Sequence, residues 1–531
     1  MVKFNKLVAG AAFLSAVCTG CYEYPKPPVS LLGESYTARE QGEADKLLEG
    51  ITSLSLAEAQ KIALLNNPDY ISASQAIEAA RFRYYQAIGA YSPTLGAGFR
   101  LSNGHSWAPH EVHTSTAYGR GDTFSTGTSV SANWLLFDGL SREFSLLASR
   151  SDVKLNQALE ADACRLLMQS VANAYNTVLA AIENQRIAEE NKKFQDMMLE
   201  DARKKHKAGV VPMSNVLNFE ILANNAEVDR IAADNQYEVA VYALAALMGY
   251  PHGTLPENMS FPHDYSTDSV ELPSVEVYLD AALANRPDLR RYRESLEISK
   301  YQMYQTISSF SPTISAFANF DYNTNMQNFG GGNDLPYDYT HRNTINFSYG
   351  LQVDWTIFSG LSRYNKMRES QANLAIAEYA VAMQWLNVVS EVRTAYTNYM
   401  DSVKTTRIYE RTREFSERQR NLVEAEYRAG NVEITRLNEA QRDLVAAETS
   451  LSGSRINILN AKAKLESVVG VNTSAFYLDS RPASENAPGL EDLKEDAASP
   501  AEGAAPVSVP AASPAPVVKN NAPAIAADPT K

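Results

Sequence analysis

The chain has 531 residues, a formal net charge of −14 at pH 7 and three cysteines, and charged residues make up only 21% of it. The acidic balance argues against a nucleic-acid partner, because phosphates demand cationic surfaces. Cys18, Cys21 and Cys164 are too few for a disulfide framework. Beyond the start, no run of about 18 apolar residues occurs, so no helix is expected to cross a bilayer.

Residues 1–21 read as an export signal: Lys3 and Lys6, then a mostly apolar stretch too short to span, then small residues. Cys18-Thr19-Gly20-Cys21 resembles a bacterial lipoprotein processing site, with Cys18 where Leu is usual, and predicts lipidation of Cys21. Residues 22–53, with Tyr24-Pro25-Lys26-Pro27-Pro28, read as an extended N-terminal segment. A short amphipathic helix follows, carried by Leu56, Ala59, Ile62 and Ala63. Asn67-Pro68-Asp69 breaks it and restarts a helix with Pro in its first turn. Pro93 then ends that helix after Tyr91 and Ser92.

Here the period drops to two. Leu95, Ala97, Phe99 and Leu101 alternate with Gly96, Gly98, Arg100 and Ser102, which predicts a strand over 94–103. A polar loop and a second strand, 123–137, follow, with Phe124, Val130, Ala132, Trp134 and Leu136 on one side. The opposite side carries Ser, Gly and Asn where a sandwich facing bulk water would carry charges. A membrane barrel with a wet lumen fits that pattern. A coiled coil is expected over 140–249, reversing at Gly209-Val210-Val211-Pro212.

The chain then repeats itself. Asn67-Pro68-Asp69 and Tyr91-Ser92-Pro93-Thr94 recur as Arg286-Pro287-Asp288 and Phe310-Ser311-Pro312-Thr313, both at an offset of 219. Trp134, Phe137 and Gly139-Leu140-Ser141-Arg142 recur as Trp355, Phe358 and Gly360-Leu361-Ser362-Arg363, at an offset of 221. The first repeat spans 54–272 and the second 273–479, with strands expected over 313–323 and 344–358 and a coil over 361–470. Ile345, Phe347, Tyr349, Leu351, Val353, Trp355 and Ile357 form the clearest apolar stripe, and Phe317 interrupts the polar side of the preceding strand. No Gly or Pro occurs between Ser362 and Ala429, which predicts a helix of roughly 100 Å. The return helix has a heptad seam of Leu437, Leu444, Leu451, Ile458 and Leu465, with Ala440, Ala447, Ser454, Ala461 and Val468 beside it. Residues 480–531 are rich in Ala and Pro and read as a disordered tail.

Four strands cannot close a barrel, and open edges are not tolerated in lipid, so several chains must pool them. The fold class is a mixed α/β membrane protein, internally duplicated, with four β-strands per chain and a long α-helical coiled coil. These Pro breaks, strand exits, coils and Gly-centred turns together resemble the TolC-family outer-membrane efflux proteins, of the lipoprotein type. The resemblance implies a homotrimer with a 12-stranded outer-membrane barrel and a helical tunnel in the periplasm. It also implies a periplasmic adaptor and an inner-membrane pump as partners, and passive gated export of small toxic compounds. Alternatives are a type I protein-secretion duct of the same fold and a trimeric surface receptor or adhesin. It further implies adaptor-docking tips at Gly209, Val210, Ser214, Gly430, Val432 and Thr435, where Ser214 and Thr435 could cap the return helices. The family's gate positions fall on Tyr427, Asn215, Arg436 and Glu439; Arg436 departs from the usual acidic character. No catalytic, cofactor or metal site is expected. The chain lacks Gly-x-Ser-x-Gly and a phosphate loop, and His105, His110 and His113 are scattered loop histidines.

Overall fold

The computed structural model describes residues 53–112, 115–250, 253, 255–256, 259–262, 273–331 and 338–470, with side chains described outside 106–120 and 328–339. The expected export signal, Cys21, the Pro-rich segment before Ser53 and the Ala/Pro-rich tail lie outside the described residues. The elements follow one order twice. Helices α1 (Leu56–Asn66) and α2 (Pro68–Gly89) lead into strands β1 (Thr94–Val112) and β2 (Ser115–Phe137), then into α3 (Ser141–Lys207) and α4 (Met213–Leu247). Helices α5 (Val275–Asn285) and α6 (Pro287–Ser308), strands β3 (Thr313–Gly331) and β4 (Asp338–Asp354), and helices α7 (Ser362–Arg428) and α8 (Ile434–Val469) repeat it.

Local chemistry sets the helix starts. Ser55 and Glu58 form a reciprocal capping box on α1, with Ser55 N–H donating to Glu58 Oε2 at 2.8 Å. Asn67 Oδ1 accepts from the backbone N–H of Asp69 and Tyr70 at the head of α2. At the matching place in the second repeat Arg286 cannot accept such bonds. Its buried guanidinium instead pairs with Asp288, reaches Glu391 Oε2 on α7 at 2.6 Å, and Gln384 Nε2 donates to Asp288 at 2.7 Å.

The two long helices have 67 residues each, so each extends about 100 Å. α3 packs against α4 and α2 of its own repeat and also against α6 and α8 of the second, whereas α7 packs against α8, α6 and α5. The heptad seam holds: Leu437, Leu444, Leu451, Ile458 and Leu465 are buried with Ala440, Ala447, Ser454 and Val468. Buried Cys164 belongs to a small cluster with Met168 and Leu64, and burial pushes its thiol up to about 12.

The four strands form one antiparallel sheet in the order β1-β2-β3-β4, so β1 and β4 are its edges. All four strands outrun expectation at their loop ends. Residues 104–112, 115–122, 324–331 and 338–343, outside the expected strands, continue the two hairpins. Apolar residues are sparse in these stretches, so period two vanishes from the sequence while the backbone ladder persists. At its other end β4 stops at Asp354, short of the expected Phe358. The reason is the missing neighbour. Residues Trp134, Leu135 and Phe137 of β2 are paired by β3, but the matching end of β4 has no strand beside it.

Candidate functional site

Two regions carry the functional expectations: the sheet and the coil tips. On the sheet, register decides what the stripes mean. Leu101 lies opposite Thr126, Phe99 opposite Thr128, Ala97 opposite Val130 and Leu95 opposite Ala132. Val130 then faces Phe320, and Phe320 faces Phe347; Ala132 faces Ala318, and Ala318 faces Tyr349. All four apolar stripes therefore share one face. That face is exposed: Leu95 is 78% accessible, Phe347 66% and Tyr349 75%. Within β4 the stripe from Ile345 to Val353, at a barrel tilt of about 40°, rises roughly 20 Å, close to the apolar band of about 25 Å on an outer-membrane barrel.

The other face is crowded and polar. A Cβ on Gly98 would meet Ser129 Oγ at 2.9 Å, and one on Gly127 would meet Asn323 Oδ1 at 2.7 Å. Phe317, the exception on this face, lies over Gly350, where a Cβ would meet its ring at 3.2 Å. The absent side chain makes room for the aromatic one. His105 Nδ1 lies 2.6 Å from Asp122 Oδ1, across the hairpin. Among the described residues no cluster suited to a metal ion occurs.

Each repeat turns from strand to long helix through the same joint. Trp134 Nε1 donates to the Tyr91 carbonyl at 2.9 Å, and Trp355 Nε1 to the Phe310 carbonyl at 3.1 Å. Arg142 lies over the Tyr91 ring and Arg363 over the Phe310 ring. Arg142 donates to the carbonyls of Ala90 and Leu136, and Arg363 to those of Ser309 and Thr356. Both arginines thus tie a helix end to a strand end. Sequence reading saw the repeated residues but not these bonds.

At the far end of the coils, both reversals are built alike. Gly209 (φ 74°) and Gly430 (φ 79°) hold left-handed angles. Val210 N–H donates to the Lys205 carbonyl and Asn431 N–H to the Glu426 carbonyl, both at 2.9 Å, which closes the helix ends. Ser214 and Thr435 do not cap, contrary to expectation. The helices begin one residue earlier, at Met213 and Ile434, behind Pro212 and Glu433, with no side-chain cap. Both hydroxyl residues are exposed within the first turn, and Val210 is 71% accessible.

The two tips share one core, in which Val216, Phe219 and Ala223 of the first coil meet Val423, Leu437 and Ala440 of the second. Tyr427 and Val432 pack against it. Lys205 Nζ sits 4.7 Å from the centre of the Tyr427 ring, joining α3 to α7. Burial pushes the Tyr427 phenol above its ordinary value, an effect Lys205 partly offsets. Within one chain the hydrogen bonds of the described residues do not join Tyr427 to Asn215, although both stand near the tips. Arg436 and Glu439 are brought together: their exposed side chains form an ion pair of 3.1 Å along α8. They line a polar cleft of about 720 Å³ between α4 and α8, along with Asn191, Asn218, Asp229 and Asn438.

A family model described as "Outer membrane efflux protein" matches residues 60–250 and 278–471. The chain belongs to the outer membrane efflux protein family, a class of outer-membrane channels that extend into the periplasm. Among individual relatives, alkaline protease secretion protein AprF of Pseudomonas aeruginosa is 24% identical, over 80% of this chain and 86% of its own. Outer membrane protein TolC of Escherichia coli is 23% identical, over 89% of this chain and 94% of its own. The fold matches the solved outer-membrane channel OprN with a TM-score of 0.64 at 18% identity, covering 80% of this chain and 91% of that one.

Proposed function

We propose that the protein is the passive outer-membrane duct of a tripartite export system. The observation that supports this most is the four-stranded sheet with one apolar face and two open edges. An isolated sheet of that kind has no stable place in lipid, because its edge amides and carbonyls lack partners. Three chains would pool 12 strands into a closed ring, and three pairs of coils would continue the bore into the periplasm. Transport needs no chemistry from such a body, and we assign it none: no catalytic, cofactor or metal role. The tip residues Gly209, Val210, Ser214, Gly430, Val432 and Thr435 would meet a periplasmic adaptor, itself bound to an inner-membrane pump. Tyr427, Asn215, Arg436 and Glu439 would line and close the inner mouth. Acylation of Cys21 would add a lipid anchor to the barrel.

Purified protein in a planar bilayer tests this reading. The resting form should conduct weakly, and a Tyr427→Phe, Glu439→Ala double variant should conduct more. Two silent forms would overturn the duct. The cargo is a separate question, and AprF, a protease secretion protein, favours a second reading as a protein-secretion duct. Deleting the gene separates the two: efflux predicts sensitivity to small toxic compounds, and secretion predicts loss of one exported protein.

A further inference from the structure

The sheet does not end where its apolar face ends. From Tyr322 to Gly331, β3 climbs roughly a further 20 Å and stays paired with β2, so the ladder runs on about as far as the apolar stripe itself. In the first hairpin the rungs Leu101↔Thr126, Asn103↔Phe124 and His105↔Asp122 follow one another without a slip. The register shift between β2 and β3 sits at Leu135/Phe137, at the opposite end. The long helices leave from that opposite end, and channels of this class extend into the periplasm, so the hairpin ends point outward. A wall of this height stands clear of the hydrocarbon layer, within the phosphorylated saccharides that cover the outer leaflet.

Just above the apolar band come Asn103, Phe124, Met326 and His341 in one row, then His105 and Asp122 in the next. Alternation puts them on the same side of the sheet as Phe99, Val130, Phe320 and Phe347. Asn103, His105, Phe124 and His341 are exposed. A sheet face meeting bulk water would carry Lys and Glu, and one meeting hydrocarbon would carry Leu, Ile and Val. These six residues include none of them. Asp122, the one carboxylate among them, is engaged: His105 Nδ1 lies 2.6 Å from its Oδ1. The rest are an amide and imidazoles that both donate and accept, beside a ring and a thioether. Such a mixture suits sugars, whose hydroxyls need both kinds of partner and whose ring C–H groups pack on apolar side chains. Imidazole N–H groups also suit phosphate oxygens. The bore side at the same height is different: Ser102, Ser125, Asn325 and Arg342 share a row, and Ser102 Oγ lies 2.6 Å from Ser125 Oγ.

We propose that these outer rows bind the phosphorylated saccharide headgroups of lipopolysaccharide. Asn103, His105 and His341 supply hydrogen bonds, and Phe124 and Met326 supply apolar contacts. The proposal rests on the pooled-sheet reading, which turns the apolar face to lipid, and adds what that face meets beyond the lipid. Continuity selects this occupant. The same strands, on the same side and in the same register, pass from the apolar band into these rows, and no bulge turns the face away between them. Bound headgroups would fix the height of the barrel in the outer leaflet and close the saccharide layer against its wall.

Neighbouring residues on opposite faces test this, because His341 and Arg342 are both exposed in the single chain. Full-length His341→Cys and Arg342→Cys proteins, with the parent as blank, are placed in nanodiscs of phosphatidylglycerol or of lipopolysaccharide with its complete core. Their rates of reaction with a water-soluble maleimide are compared. His341→Cys should react at least ten-fold more slowly in the lipopolysaccharide discs, and Arg342→Cys should keep its rate within about two-fold. Lipopolysaccharide trimmed of its core sugars should restore most of the His341→Cys rate; protection that survives trimming overturns the saccharide assignment. Equal rates for His341→Cys in every disc, or equal slowing at both positions, overturn the proposal while the pooled sheet stands. Protection of Arg342→Cys alone inverts the two faces and overturns the pooled-sheet reading itself. A His105→Ala, His341→Ala double variant, checked for fold by circular dichroism, should retain several-fold less lipopolysaccharide per chain after purification. Unchanged retention overturns the role of the two imidazoles.

Discussion

Arg286 stands where the first repeat has a capping Asn, and the exchange puts a charge inside the helical body. Burial alone would raise the pKa of Asp288, but the hydrogen bonds and charge of Arg286 more than offset it and hold the carboxyl below its usual range. A depressed carboxylate stabilises the fold at pH values above its unfolded pKa, about 3.9, and that stability is lost as pH falls through the lower folded value. Asp288→Asn should therefore cost about 2–3 kcal/mol at pH 7, less than a fully broken buried pair because Arg286 keeps Glu391. Thermal unfolding measured from pH 7 to pH 2 should show this gap between variant and parent narrowing with acid. At the tips, Arg436–Glu439 is an exposed pair worth at most about 1 kcal/mol, so Glu439→Gln should leave the melting temperature almost unchanged. It frees the Arg436 charge, however. In a salt gradient across a planar bilayer, the reversal potential of the open channel should move towards anion preference.

At the scale of elements, corners and reversals govern the arrangement. Gly430→Ala meets no neighbour but forces a side chain onto φ 79°, a cost of about 1 kcal/mol. The folded yield of that variant should be near normal, and the loss should fall on cross-linking to an adaptor. Gly139→Ala is different, because its Cβ collides with backbone at 2.7 Å across the repeat boundary. Its yield of outer-membrane protein should fall several-fold in fractionated cells. The elements were partly legible in advance. The Gly- and Pro-free runs marked both long helices, and the alternation around Val130 and Ile345 marked two strands. Strand length was not legible, because the polar outer ends of the hairpins are held by ladder hydrogen bonds that leave no apolar period. Capping by Ser214 and Thr435 was misjudged for a related reason. Helix starts depend on backbone angles at Pro212 and Glu433, and a hydroxyl two residues past the cap position caps nothing.

For the whole molecule, the telling feature is asymmetry between equal halves. α3 is wrapped on several sides and α7 is left with Ile408, Phe415 and Leu422 in the open. Phe415→Glu should lower the oligomer fraction in detergent by an order of magnitude while circular dichroism stays helical, since the site is solvent-exposed in one chain. Metabolic labelling with a fatty acid should mark the parent protein and spare Cys21→Ser. The amino-acid sequence by itself determined the duplication, the period of each element and the kind of face each presents, because these follow from spacing along one chain. Only the tertiary structure decided that all four stripes share a single face, that Lys205 meets Tyr427, and that β4 stops at Asp354 for want of a neighbour. Those outcomes depend on register and on contacts between distant segments, which nearest-neighbour chemistry does not encode.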